Sequence, residues 1–155
     1  MYKRFAFLAL ATLLASLAAS PVLAQKQQPQ PKFTSPVKPG EPDRPFPFKV
    51  VWVLKEFNSK PVSTANGDLT LSIDDNSRGA GSSGCNTWSA TIILVRGQRM
   101  GVGPIAITHK TCDAAASQLE NAYLSAVHAA PFWDIENGYL VLKGPGGVLK
   151  FERSI

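Results

Sequence analysis

The chain of 155 residues has only two cysteines and two histidines. A structural zinc site takes four nitrogen or sulfur ligands, and a catalytic one takes three and a water. The histidines, His109 and His128, have no ligand spacing with each other. The sequence therefore gives little support to a metal site, and we expect no cofactor.

Long apolar runs are also scarce. The one extended run, residues 5–19, is interrupted by a threonine and a serine and is shorter than the ~20 residues that a membrane-spanning helix needs. Two basic residues precede it, and the small residues Val22 and Ala24 follow it. This arrangement is typical of a secretory signal peptide, so we predict that residues 1–24 are removed on export. An uncleaved membrane anchor is the alternative.

No cysteine lies near residue 24, so a lipoprotein anchor would have no acceptor. We therefore expect a periplasmic or secreted protein that meets the membrane only during export.

Charge of one sign is not concentrated in the part that is expected to fold. The whole chain has a formal net charge of +5, but residues 48–155 hold ten basic and nine acidic residues. A nucleic-acid-binding domain needs basic residues gathered on one folded face. We therefore expect no nucleic-acid partner.

Residues 25–47 contain seven prolines and four glutamines and have almost no periodic apolar pattern. Such a segment buries too little surface to offset its ordering entropy, so we predict a disordered or polyproline-like tail. A proline-rich recognition ligand is the alternative, although the prolines do not form a regular P-x-x-P series. The remaining residues, 48–155, are predicted to form one domain.

Strand-like patterns dominate this domain. In "DLTLSID", for example, Leu69, Leu71 and Ile73 alternate with polar residues, which indicates one buried face. The pair Asn137-Gly138 is a strong signal for a two-residue hairpin. The predicted strands are Val50–Phe57, Asp68–Asp74, Thr87–Val95, Met100–Thr108, Phe132–Glu136, Tyr139–Gly144 and Gly147–Arg153.

One alanine-rich segment, residues 113–130, predicts a helix. Asp113 can cap its first turn, and Pro131 ends it. The predicted buried face contains Leu119, Ala122, Tyr123, Ala126 and Val127. The predicted fold is mainly β (α+β), an antiparallel sheet of about seven strands with one packed α-helix.

The stretch "GAGSSGCNTW", residues 79–88, places Cys85 after a glycine-rich loop. A phosphate-binding loop needs Lys and Ser or Thr after its last glycine, and a helix next. Here Cys85 and Asn86 follow and a strand comes next. The favoured interpretation is a flexible connection whose glycines permit positive φ.

Cys85 has three possible roles. Export into an oxidising compartment and an even number of cysteines favour a disulfide with Cys112. Such a bridge ties the helix entrance to the sheet, and the chain-entropy estimate for it is about 3–4 kcal/mol. A thiol enzyme with His109 as the base and a zinc ligand are the alternatives.

Several residues together resemble the META domain, also called HslJ-like or DUF306. "SGCN" is followed by an aromatic, "T-x-x-x-C" comes next, and a glutamate follows in the predicted helix. The resemblance covers nearly all of residues 50–151. The motif residues are Gly84, Cys85, Asn86, Trp88, Thr108, Cys112 and Glu120.

The resemblance implies a small exported domain with a barrel-like antiparallel sheet, one helix and a disulfide between Cys85 and Cys112. Members are linked to heat shock, novobiocin resistance and, in some lineages, motility or virulence, and no enzymatic activity is established for the family as a whole. This chain departs from the motif at Lys110, where many members have methionine, and at Ala90, where glycine is frequent.

These observations predict a non-catalytic, stress-related envelope domain that binds a small apolar ligand or a protein partner. Trp52, Trp88 and Trp133 are candidates for lining a ligand cavity, although aromatic residues more often fill a core.

An enzyme is the competing hypothesis. Its only close carboxylates are Asp74 with Asp75 and Asp134 with Glu136. The first pair is typical of a turn, and the second lacks any supporting signal for a hydrolase. A third hypothesis is a structural protein that acts through its proline-rich tail.

Overall fold

Strands are the main type of secondary structure in the computed structural model, which describes residues 33–38, 40–63, 65 and 67–155. The predicted signal peptide, residues 1–24, lies outside the described residues, as do residues 25–32 of the predicted tail. The elements are β1 Trp52–Phe57, β2 Lys60–Pro61, β3 Thr70–Ile73, β4 Arg78–Ser82, β5 Thr87–Val95, β6 Arg99–Val102, β7 Ala106–Ile107, α1 Ala114–His128, β8 Phe132–Glu136, β9 Tyr139–Gly144 and β10 Gly147–Arg153.

Neighbouring strands are antiparallel and form a closed ring. The order is β10-β9-β8-β6-β5-β4-β3-β1, and β1 also pairs with β10. This arrangement confirms the predicted mainly β fold with a barrel-like sheet and one helix. Closure leaves few unpaired backbone groups at the sheet edges.

Hairpins account for much of the register. β8 and β9 are joined by Asn137 and Gly138, whose φ angles are 53° and 84°. Two consecutive residues with positive φ match the twist of antiparallel strands, so the predicted hairpin is confirmed. The junction of β6 and β8 is thinner, because its register holds a single pair, Arg99 and Phe132.

The glycine-rich loop differs from the prediction. The structure places Gly79 and Gly81 inside β4 rather than in a flexible connection, and in this loop only Gly84 has positive φ, at 93°. A Cβ at Gly81 would overlap the backbone carbonyl of Thr70. The glycine therefore permits close approach of two strands, a requirement that residue alternation does not reveal.

The helix begins and ends close to the predicted bounds. Asp113 caps it by accepting a hydrogen bond from the Ala116 backbone N–H at 2.7 Å. The buried face differs in part, because Ala122 is exposed while Glu120 and Leu124 are buried. Among the described residues, no helix has the length and apolar content needed to cross a membrane.

The core lies between the helix and the inner face of the sheet. The alternation predicted for β3 is confirmed, because Leu69, Leu71 and Ile73 are all fully buried. The same apolar cluster includes Trp52, Trp88, Trp133, Tyr123, Val127, Leu140, Leu142, Leu149 and Phe151.

Of the two forms predicted for the tail, disordered or polyproline-like, the disordered one does not hold for residues 40–47, which we call the arm. The arm belongs to the same compact unit as the sheet, residues 31–155. Phe46 is only 8% exposed and joins the core cluster, and Arg44 pairs with Asp134 of β8. These two contacts offset the ordering entropy, and a count of prolines and glutamines cannot show them.

Gly81→Ala is expected to lower the free energy of unfolding by about 2–3 kcal/mol, since the added Cβ meets backbone rather than a movable side chain. Chemical denaturation measures the loss. Gly101→Ala is the matched control, because a Cβ there meets nothing within 4 Å. Equal stability of the two variants would contradict the close approach of β3 and β4.

Candidate functional site

The two cysteines meet where the helix begins. Cys85 precedes β5, Cys112 lies two residues before α1, and a disulfide joins them with their Cα atoms 6.1 Å apart. The bridge spans a sequence separation of 27 residues. It leaves neither sulfur as a thiol, so the catalytic-thiol and zinc-ligand roles of Cys85 do not apply to this structure. His109, the base considered for the thiol, is exposed.

Asn86 is buried beside the bridge and its side-chain amide links three segments. Its Oδ1 accepts hydrogen bonds from the Thr108 hydroxyl at 2.9 Å and from the Lys110 backbone N–H at 2.8 Å. Its Nδ2 donates to Oε1 of Glu120 at 3.1 Å and lies 3.5 Å from Sγ of Cys112. The amide therefore joins the loop before β5 to both the segment before the helix and the helix itself.

Glu120 is the buried acidic residue at this point, with 6% of its surface exposed. The Ser83 hydroxyl donates to its Oε2, and Asn86 donates to its Oε1. A buried carboxylate is costly unless its oxygens accept hydrogen bonds. We call Ser83, Cys85, Asn86, Thr108, Cys112 and Glu120 the Asn86 node.

Trp88 is anchored one layer deeper. Its Nε1 donates to the Thr70 carbonyl at 3.3 Å, and the hydroxyl of Tyr123 donates to the same oxygen at 2.8 Å. The two rings are 6.3 Å apart in an edge-to-face arrangement. Burial raises the pKa of Tyr123 far above its ordinary value. The phenol thus stays a donor and holds the helix against β3.

The two departures from the family motif leave the node intact. Lys110 contributes its backbone N–H to Asn86, and the residue is exposed. A methionine at this position would offer the same backbone donor. Ala90 lies opposite Gly79 in the register of β4 and β5 and is buried. A Cβ at Gly79 would overlap the side chain of Ile92, so this glycine makes room for Ile92 rather than for the methyl group of Ala90.

Asp74 shapes the turn after β3. Its Oδ1 accepts backbone hydrogen bonds from Asn76 at 2.9 Å and from Arg78 at 2.8 Å. Its neighbour Asp75 pairs with Lys49 at 2.7 Å, and this hydrogen bond lowers the pKa of Asp75. The turn interpretation of this pair is confirmed.

The two carboxylates of the second pair, Asp134 and Glu136, have separate partners. Asp134 accepts from Arg44 and Gln98, whereas Glu136 pairs with Lys143. The charges of the two carboxylates are thus balanced separately, although they lie two residues apart on one strand.

The tryptophans predicted as cavity lining are each only 3% exposed. Within the described residues, the Nε1 atoms of Trp52 and Trp133 have no hydrogen-bond partner. All three side chains belong to the apolar core cluster, which is the more ordinary of the two roles considered for them.

A cavity of about 200 Å³ lies beside the node. Its lining is partly apolar and comes from Ser63, Ala65, Ser83, Gly84, Asp113, Ala115, Ala116 and Leu119. Within the described part of the chain, no group of three or more His, Cys, Asp or Glu side chains is placed to hold a metal ion.

Sequence reasoning did not find Ser83, Tyr123 as an anchor, or the contact of Arg44 and Gln98 with Asp134. The bonds of Ser83 and Tyr123 reach partners that are 37 and 53 residues away in sequence. Pairings between residues so far apart leave no pattern in the local sequence from which they could be predicted. The resemblance to the META domain is the signal that pointed to the other members of the node, which are Cys85, Asn86, Thr108, Cys112 and Glu120.

Comparisons with known proteins agree with this geometry. The META domain family matches residues 48–154. A protein from Burkholderia xenovorans, solved by NMR, is 23% identical, with 77% of this chain and 98% of that chain covered and a TM-score of 0.57. A second NMR structure is 22% identical, covers 66% of this chain and 87% of its own, and has a TM-score of 0.55. These structures share the fold. No curated protein gives a significant match.

Asn86→Ala is expected to cost about 2 kcal/mol in the free energy of unfolding, because buried Glu120 loses a donor that water does not replace. Asn76→Ala is the matched control, since Asn76 is exposed and only its backbone is hydrogen bonded. Denaturant titration distinguishes them. A loss no larger for Asn86→Ala than for Asn76→Ala would show that the node does not stabilise the domain.

Cys85→Ser and Cys112→Ser are expected to lose the same stability, about 3–4 kcal/mol, because either change opens the same loop. Thermal or chemical unfolding of both variants tests this, with the reduced unaltered protein as the control. A markedly smaller loss in one variant would mean that the sulfurs do more than close the loop.

Proposed function

Because this chain belongs to the META domain family, we propose that it is an exported, non-catalytic envelope domain that acts by binding a protein partner. One observation carries the non-catalytic part of the proposal. The groups of the Asn86 node bond to one another, so that the motif's sulfurs, amide and carboxylate all serve structural bonds. Catalysis would need a group that is poised for proton transfer or attack and is not already engaged in this way.

Two features support export. The first 24 residues have the basic start, the short apolar run and the small residues of a signal peptide. The disulfide between Cys85 and Cys112 is of the kind that persists in oxidising compartments such as the periplasm. The periplasm or the extracellular space is therefore the proposed location.

The size of the cavity favours a protein partner over a small apolar ligand. Ligand pockets usually hold about 300–1,000 Å³. The cavity beside the node holds about 200 Å³, and the three tryptophans are packed into the core. Two wider depressions along β5, of about 370 and 390 Å³, are lined mainly by polar or small side chains and do not suit an apolar ligand. On the outer face of β5, by contrast, Ile93 is 57% exposed and Val95 is 50% exposed. Exposed apolar side chains next to each other are typical of a surface that another protein covers.

A stress-related role, which the family resemblance implies, stays a prediction. So does action through the proline-rich segment as a structural module. Thiol catalysis would require the bridge to open, and nothing in the bonding of the node favours that.

Mass spectrometry of the chain produced in a bacterial host is the experiment that tests export and bonding together. We expect a product that begins at Gln25, is recovered from the periplasm or the medium, and takes up no alkylating reagent before reduction. The signal sequence accounts for the first result and the disulfide for the last.

Ala24→Asp provides the control, because a charged residue next to the cleavage site should block processing without touching residues 48–155. A cytoplasmic product that starts at Met1 would refute export. Two alkylatable thiols in the folded product would refute the non-catalytic argument.

A further inference from the structure

The arm lies across the thin junction of β6 and β8 and contacts both sides of it. On the β6 side, the Gly97 backbone N–H donates to Oδ1 of Asp43 at 2.6 Å, and the Arg44 backbone N–H donates to Oε1 of Gln98 at 3.3 Å. On the β8 side, the Arg44 guanidinium donates to Oδ1 of Asp134.

The group that accepts the hydrogen bond from Arg44, the Asp134 carboxylate, is buried in the domain. Asp134 is only 5% exposed, and its Oδ1 also accepts from the Gln98 side chain at 2.9 Å and the Ile135 backbone N–H at 2.8 Å. Gln98 itself is 1% exposed. A buried carboxylate is stable when hydrogen bonds and a cation compensate for its lost hydration. The domain supplies the hydrogen bonds, and the arm supplies the cation.

Phe46 provides the second anchor. Its ring meets Trp133 edge to face, with the ring centroids 4.9 Å apart and the planes at 80°. Arg44 and Phe46, two residues apart in the arm, thus contact neighbouring residues of β8. Phe46 is buried, as the aromatic anchors of protein interfaces usually are, whereas the Arg44 side chain is 41% exposed and contributes through its charge.

The arm has the properties of a peptide ligand rather than of a core strand. Pro42, Pro45 and Pro47 restrict its free conformations, so that docking orders few additional bonds. The arm lies before residue 48, where the family match begins, whereas Gln98, Trp133 and Asp134 lie within that match.

The connection between the arm and β1 is suited to opening. Lys49 has φ of 60°, a left-handed conformation that is unfavourable for a residue with a side chain, and Phe48 is 44% exposed. Short hinge segments in such conformations favour the exchange of an element between copies.

We propose that Gln98, Trp133 and Asp134 form a docking site for an Arg-x-Phe segment that is flanked by prolines. When the site binds such a segment from another molecule, that segment is the arm of a second copy of this chain. Each copy then donates its own Arg44 and Phe46 and receives those of the other, in a symmetric pair. This inference rests on the proposed binding of a protein partner, and it does not depend on export.

In the unaltered chain, the attached arm competes at an effective concentration of about millimolar, so exchange is suppressed in dilute solution. Charge reversal removes this competition. In the Arg44→Glu variant, the negative charge introduced into the arm lies opposite the negative charge of Asp134. In the Asp134→Lys variant, the positive charge introduced into the docking site lies opposite the positive charge of Arg44. A mixture of the two variants restores an opposite pair at both sites, but only between different molecules.

Sedimentation of the two variants, separately and as an equimolar mixture, is the test. We expect each variant alone to remain monomeric and the mixture to form a species of twice the monomer mass. The double variant Arg44→Glu/Asp134→Lys is the matched control, since it restores the opposite pair within one chain and should remain a monomer. A mixture that stays monomeric while the double variant is folded would overturn the proposal.

A peptide of residues 41–48 gives a second measurement that does not require Asp134→Lys to fold. We expect it to bind Arg44→Glu, whose receiving site is unchanged, with a saturable change in the fluorescence of Trp133. The same peptide with Arg44→Glu should bind at least tenfold more weakly, because one lost charge-assisted hydrogen bond is worth about that factor. Absence of binding would refute the docking site, and binding without a mixed dimer would refute the second copy as partner. Failure of export would alter neither result.

Discussion

The disulfide between Cys85 and Cys112 is the constraint on which the rest of the structure depends, because it fixes the start of the helix to the start of β5. With these two points held, the Asn86 amide can reach Thr108, Lys110 and Glu120 at the same time. The covalent bond thus sets the distances, and the hydrogen bonds set the orientation. A small domain gains from such a link, since its core alone leaves a narrow margin of stability.

The close packing of β3 against β4 depends on the absence of a side chain at one position, Gly81. Gly81 lets β4 approach Thr70 closely, and the Thr70 carbonyl then accepts from both Trp88 and Tyr123. Since Tyr123 comes from the helix, this oxygen connects helix and sheet a second time. The closed ring follows from the meeting of β1 and β10, the first and last strands of the domain. The Asn86 node and the docking site of the arm are built from different elements, so the two can be altered independently.

Much of the fold could be predicted because its signals are local. The alternation of apolar and polar residues predicted the buried face of β3. The pair Asn137-Gly138 predicted a hairpin, and Asp113 predicted the start of the helix. The disulfide followed from the number of cysteines and the expected compartment. β4 was missed, because its glycines read as a loop and their true role, contact with a strand distant in sequence, has no local mark.

The sequence by itself determined the type and position of most elements, since periodicity and turn residues act over a few neighbours. Tertiary structure decided which polar groups meet: Glu120 with Ser83, and Arg44 with Asp134 across 90 residues. It also decided that residues 40–47, which were expected to be a tail, form an ordered arm. The reason is that a buried carboxylate and Trp133, both far away in sequence, contact side chains of the arm. The hydrophobic pattern of a sequence indicates which residues are buried. Which polar groups then form hydrogen bonds or ion pairs depends on the path of the whole chain.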